Sequence, residues 1–176
     1  QAIKLHENII SKKKLKEHHY YQTLEELAED YFTAGLYDKS EEIFKKLIGI
    51  KEHKNSSLKK LIQIYEYTSE WNKALSTLEI LNSIDPSNEY KKNIPQYFCQ
   101  ISEQYIDDND LKKAELFTKK AEATESKSSR ILFISIQIAL KMDDLVKALK
   151  LYIDLCKISD LGHLILLPDL IDKAKQ

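Results

Sequence analysis

Three short stretches decide how this chain folds: Gly35-Leu36-Tyr37-Asp38-Lys39-Ser40, Ser69-Glu70-Trp71-Asn72-Lys73-Ala74 and Asn109-Asp110-Leu111-Lys112-Lys113-Ala114. Each opens on a residue suited to leaving a helix, places a large hydrophobe two positions on, and closes on a small residue. A fourth copy reads Asp143-Asp144-Leu145-Val146-Lys147-Ala148. The small residues Ser40, Ala74, Ala114 and Ala148 follow one another at intervals of 34, 40 and 34. About six residues are therefore inserted in the middle interval, near Ser87 to Ile94, and a period of this size marks stacked helical repeats. Four residues before the first three turns stand the aromatics Tyr31, Tyr65 and Tyr105. About one helical turn after the small residues stand Phe44, Leu78, Phe117 and Tyr152.

This pattern resembles the tetratricopeptide repeat, in which two antiparallel helices meet at a tight turn. The turn residue must leave the helix cleanly, which Gly, Asn, Asp and Ser do best. The small residue lets the second helix approach the first, and the aromatic fills the space between helices. Pro86 ends the second helix of its repeat. A single helix pair cannot cover its own apolar face, so the pairs must stack. The expected fold is all-α, a superhelix built as one array over residues 1–176. It divides into a half repeat at 1–19, full repeats at 21–54, 55–94, 95–128 and 129–162, and a half repeat at 163–176. In the first half repeat, Ala2, His6 and Ile9 hold the packing positions of a second helix. Gly162 to Gln176 reads as a first helix without its partner.

Composition agrees. Of 176 residues, 43% are hydrophobic and 31% charged, with three Gly and three Pro, a balance that suits helices joined by short turns. With 27 basic and 28 acidic residues the formal charge is −1, which gives no electrostatic footprint for nucleic acid. The run Lys12, Lys13, Lys14 and Lys16 reads as a solvated helix end. The longest apolar run, Ile131 to Leu140, is broken by Ser135 and Gln137 and is far short of the roughly 20 residues a membrane span requires. Beginning at Gln1 with no initiator Met or signal pattern, the chain reads as a piece of something longer.

Residues that carry chemistry are scattered. Cys99 and Cys156 form no C-x-x-C pair and suit a reducing compartment. His18 and His19 are adjacent and point to different sides of a helix, whereas helical metal ligands sit three or four apart. His53 and His163 lie near element ends without cysteine neighbours. Glu25-Glu26, Glu29-Asp30 and Asp107-Asp108 read as exposed acids on amphipathic helices. No phosphate loop, dinucleotide fingerprint or nucleophile elbow occurs. The expectation is a protein that is not an enzyme and that binds other proteins.

In such arrays the first helices line an inner, concave face. The repeat register puts Gln22, Glu25, Glu29, Phe32 and Thr33 of the first full repeat on that face. Lys59, Gln63, Glu66 and Tyr67 follow from the second, and Cys99, Glu103, Ile106 and Asp107 from the third. Arg130, Phe133, Gln137 and Lys141 come from the fourth. Phe32, Tyr67 and Phe133 are either anchors for a partner or packing between repeats. The basic set that clamps a terminal carboxylate in chaperone-binding arrays is incomplete.

Several strings go further. Ala2-Ile3-Lys4-Leu5-His6-Glu7 is similar to the A-I-R-I-H-Q of the lipopolysaccharide assembly protein B family. Asp30-Tyr31 with Ala34-Gly35-Leu36-Tyr37-Asp38-Lys39 resembles its D-Y-x-x-A-G-L-Y-D-R. Leu61-Ile62-Gln63-Ile64-Tyr65 with Ser69-Glu70-Trp71-Asn72-Lys73-Ala74 resembles its L-L-Q-I-Y and S-E-W-Q-K-A. Gln96-Tyr97-Phe98-Cys99-Gln100-Ile101 resembles its H-F-Y-C-E-L. The resemblance covers most of residues 1–152 and fades beyond Leu155.

It implies a bacterial protein at the cytoplasmic face of the inner membrane, with an N-terminal membrane helix and a C-terminal four-cysteine zinc ribbon, both outside this chain. This stretch would then be soluble, without membrane insertion and without a cofactor. The implied role is an adaptor that presents the deacetylase of the lipid A pathway to a membrane-bound ATP-dependent metalloprotease and so regulates lipopolysaccharide synthesis. A lipopolysaccharide-sensing inner-membrane protein would restrain it. The alternative is a generic tetratricopeptide co-chaperone or assembly scaffold with an unrelated partner. Apolar half repeats at both ends would also favour a homo-oligomer.

Overall fold

The structure, a computed structural model, describes residues 1–11, 15–125, 128–158 and 165–175. Lys12, Lys13, Lys14, Gly162, His163 and Gln176, named above, lie outside them. Among the described residues ten α-helices follow in order: α1 Ala2–Ser11, α2 Glu17–Thr33, α3 Tyr37–Leu47, α4 Lys54–Tyr67, α5 Trp71–Ile84, α6 Ile94–Asp107, α7 Leu111–Thr124, α8 Ser129–Lys141, α9 Leu145–Ile158 and α10 Leu167–Ala174. A short 3-10 helix, Glu89–Asn93, fills the insertion after Pro86. Among the described residues there is no strand.

The turns form as the repeat pattern expects. Among the described residues, the four at the turn position are those with positive φ: Gly35 at 73°, Ser69 at 58°, Asn109 at 59° and Asp143 at 62°. Each ends its helix with the same two bonds. Gly35 N–H donates to Phe32 C=O at 3.0 Å and Leu36 N–H to Tyr31 C=O at 2.9 Å. The same pair closes α4 from Ser69 and Glu70, α6 from Asn109 and Asp110, and α8 from Asp143 and Asp144. Both bonds satisfy carbonyls that a helix end leaves open, and the left-handed residue makes them possible. Asp110 and Asp144 then cap the next helices, accepting from the N–H of Lys113 at 3.2 Å and of Lys147 at 3.0 Å.

The chain divides into two compact units, residues 1–91 and 92–176. In the first, consecutive helices from α1 to α5 pack as neighbours. Its core contains Ala28, Phe44, Leu47, Leu58, Ile62, Ala74 and Leu78, all inaccessible to solvent. Ser40, the small residue with a hydroxyl, is equally buried, and its Oγ donates to the carbonyl of Ala28 at 2.8 Å. The hydrogen bond thus offsets the cost of taking a polar atom out of water at a close helix–helix approach. Along one edge Tyr31 donates to Glu7 at 2.6 Å and Tyr65 to Glu41 at 2.8 Å, in both cases across 24 residues. The bond to Glu7, with burial, pushes the Tyr31 phenol up to about 12.

α1 departs from expectation. Its Ala2 is exposed and no residue in it is fully buried. Besides the bond from Tyr31 to Glu7, His6 joins it to α2, its ring nitrogens reaching Asp30 at 2.8 Å and Glu26 at 3.4 Å.

In the second unit α6 and α7 pack on α8, and α9 and α10 complete it. One cluster joins Cys99, Ile106, Ala114, Ala121, Ile131, Ile134 and Ile138. Another joins Ile136, Ala139, Ala148, Leu155, Leu166 and Leu170. Ser102, fully buried on α6, donates to the carbonyl of Ala114 at 2.8 Å and can then accept from the Thr118 hydroxyl, also at 2.8 Å. Among the described residues no helix is long and apolar enough to cross a membrane.

Candidate protein-binding surface

In the first unit, α2 and α4 present side chains to one another across a shared face. Glu25 accepts from Ser56 Oγ at 2.5 Å and lies 2.6 Å from His53 Nδ1. One turn on, Glu29 accepts from Lys60 Nζ at 2.8 Å, and the same ammonium stands 5.5 Å above the Phe32 ring. Phe32 meets Tyr67 edge to face at 5.5 Å, and Tyr67 stacks on Tyr37 at 5.7 Å. Tyr67 is nonetheless 67% exposed. A phenol held by two rings and open to water is pre-organised for contact. Beside it is an open depression of about 420 Å³ lined by Phe32, Gln63, Glu66 and Tyr67. Gln63 is oriented by a bond of 3.0 Å to the Tyr90 hydroxyl.

Four of the residues expected on this face thus line one depression, with Glu25 and Glu29 in the polar row beside it. Lys59 is half-buried on α4, and Gln22 is exposed on α2, 3.4 Å from Glu26. Tyr37, His53, Lys60 and Tyr90 belong to the face and were not expected there. Tyr37 holds the hydrophobic turn position, which reads as packing, and Tyr90 comes from the insertion, which carries no repeat register.

In the second unit Arg130 reaches Glu103 with Nη2 at 2.7 Å and Nε at 3.3 Å, a two-pronged pair between α8 and α6. Gln137 borders a hollow of about 420 Å³ with Lys141, Asp143 and Lys173. Two residues need correction. Cys99 is 3% exposed and Ile106 5%; both belong to the core, so neither is offered to a partner. α8 packs directly on α6 and covers that side of it. Burial also pushes the Cys99 thiol up to about 11, away from reactivity. Phe133 is half-buried and packs against the Ala139 and Leu170 cluster.

The Ser56 hydroxyl donates to the Glu25 carboxylate and not to the imidazole of His53, which faces the other oxygen of the same carboxylate. Among the described residues no group of three or more His, Cys, Asp or Glu side chains is placed to hold a metal. The zinc implied by the resemblance needs four cysteines. This chain has two, Cys99 inside the core and Cys156 at the surface, and they do not fit it.

Comparison with known proteins bears on the same stretch. The chain is similar to Lipopolysaccharide assembly protein B of Escherichia coli K12. The two are 27% identical over 150 residues, which is 85% of this chain and 38% of that protein. The protein of the same name from Haemophilus influenzae is 28% identical over 95 residues, 54% of this chain and 24% of its own length. The similarity therefore extends over most of the chain. The chain spans well under half the length of these relatives. No protein-family model matches it.

Proposed function

We propose that this chain is a protein-binding helical scaffold that acts in the regulation of lipopolysaccharide synthesis. In the whole protein it holds the deacetylase of the lipid A pathway for a membrane-bound ATP-dependent metalloprotease, at the cytoplasmic face of a bacterial inner membrane. A lipopolysaccharide-sensing membrane protein restrains it. The observation that carries a binding role is the depression between α2 and α4, where Tyr67 is braced by Phe32 and Tyr37 yet open to solvent. The similarity to Lipopolysaccharide assembly protein B supports the pathway. The membrane helix and zinc ribbon of the family would belong to segments outside residues 1–176.

The test is binding of purified deacetylase to the whole protein, measured by surface plasmon resonance, with Tyr67→Asp and Lys59→Glu. Each is expected to weaken binding at least tenfold while the helical circular dichroism stays as it was. Full affinity in both variants would remove the α2–α4 face from the proposal. Charge reversal at Glu29 or Glu103 is a harsher probe, because those carboxylates also hold Lys60 and Arg130.

A further inference from the structure

Tyr67 ends α4 with its ring stacked on Tyr37 and Phe32 roughly perpendicular beside it, yet most of the residue is open to solvent. With one ring face against Tyr37, the opposite face and the hydroxyl edge are what remains open. The repeat does not require a ring here. At the same register α2 has Thr33, α6 has Asp107 and α8 has Lys141. The depression beside the ring is lined by Phe32, Gln63, Glu66 and Tyr67, with no lysine or arginine among them.

That lining offers hydrogen-bond acceptors and π faces. Gln63 donates its amide nitrogen to the Tyr90 hydroxyl, which leaves its carbonyl oxygen to accept. Glu66 is half-buried, and a carboxylate accepts several hydrogen bonds at once. The nearby ammonium groups do not fill the depression. Lys60 stands over Phe32 and is neutralised by Glu29 at 2.8 Å. Lys59 is seven residues before Glu66 on α4, about 10 Å along the axis. In the second unit the same register already serves a guanidinium: Glu103, the counterpart of Gln63, takes the side chain of Arg130 through both Nη2 and Nε.

We propose that the α2–α4 depression seats an arginine side chain of the bound partner, its guanidinium stacked on the open face of Tyr67 and donating to Glu66 and Gln63. This rests on the reading of the α2–α4 face as a protein-binding surface and names the chemistry that surface takes. A planar cation matches both parts of the lining: its face is attracted by the ring quadrupole and its edge carries five N–H donors. A carboxylate or phosphate would meet the Glu66 charge and the electron-rich ring face. An apolar side chain would cover Glu66 and Gln63 without giving either a hydrogen bond, which costs free energy. Lysine offers the charge but neither the flat face nor the fork of donors.

The intact chain, isotope-labelled, is titrated with N-acetyl-arginine amide and followed by nuclear magnetic resonance at the Tyr67 ring and the Gln63 side-chain amide. Saturable shifts at both are expected. N-acetyl-lysine amide should bind at least threefold more weakly. N-acetyl-citrulline amide, which keeps the planar shape without the charge, should bind at least tenfold more weakly. Tyr67→Phe should keep the arginine response, whereas Tyr67→Leu, which keeps the bulk and loses the π face, should weaken it at least fivefold. Glu66→Gln should weaken it as much with the circular dichroism unchanged, and it serves alone if Tyr67→Leu disturbs the fold. No saturable shift at Tyr67 and Gln63, equal affinity for arginine and citrulline, or a response indifferent to Glu66→Gln overturns the proposal. The probe contains no deacetylase. Failure here therefore leaves the deacetylase binding measured above as it stands, and failure of that binding leaves an arginine response in place.

Discussion

Lys147 on α9 reaches back to Glu115 on α7 at 2.8 Å, tying the second helix of one pair to the second helix of the next. The same register in the first unit holds Lys73 of α5 and Glu41 of α3, 3.9 Å apart. A contact that recurs with the repeat belongs to the stacking of helix pairs and not to one local accident.

These two carboxylates make the fold acid-sensitive. The hydrogen bond from Lys147 holds Glu115 below its ordinary 4.5. Burial pushes Glu41 upward, but bonds from Lys45 and Tyr65 and the charges of Lys45 and Lys73 outweigh it and leave it lowered too. A lowered folded-state value means stability that is present above pH 4.5 and lost as pH falls through the folded-state values. Thermal melts between about pH 7 and about pH 2.5 should show a falling acid limb. Glu115→Gln and Glu41→Gln should make that limb shallower; an unaltered limb in both would remove the carboxylates as its cause.

The small positions should resist enlargement. Ala74 and Ala114 are fully buried where helices approach most closely. Leucine at either place is expected to cost about 1–3 kcal/mol through overpacking. Urea unfolding measures it, and a loss well under that range would mean the helices have room to part.

Asn109 has φ of 59°, so its substitutions should act through the backbone. Asn109→Val is expected to lower stability by about 1–2 kcal/mol, the strain of a side chain branched at Cβ in the left-handed region. Asn109→Gly should be neutral or stabilising. The two together discriminate, since loss of an asparagine contact would lower both.

The two thiols should react in sequence. Cys156 is exposed, whereas Cys99 is buried with its thiol pushed up to about 11. An aromatic disulfide reagent at neutral pH should titrate one thiol promptly and the second on unfolding. Cys156→Ser should remove the fast phase, and a prompt second thiol would contradict the burial of Cys99.

Much of the architecture could be read from the chain because its signals are local. Gly35, Ser69, Asn109 and Asp143 announce the turns, since few residues tolerate positive φ, and the small residues mark where two backbones must come close. The repeat period then places one helix pair beside the next. For the binding face the register was a partial guide. It reached Phe32, Gln63, Glu66 and Tyr67, which line one depression, and it misplaced Cys99 and Ile106. An array register assigns a side, but α8 lies on that side of α6, and burial depends on the neighbour.

What the sequence determined by itself was therefore the helix pairs, their turns and their close approaches, each set by backbone sterics and residue size within a few positions. The tertiary structure alone decided which apolar residues are core and which are surface. Leu149 and Ile153 look no different in sequence from Leu151 and Leu155. It took the packing of α9 within its unit to cover Leu155 and leave Ile153 to water, because hydrophobic burial is a property of what lies opposite a side chain and is not carried by the side chain itself.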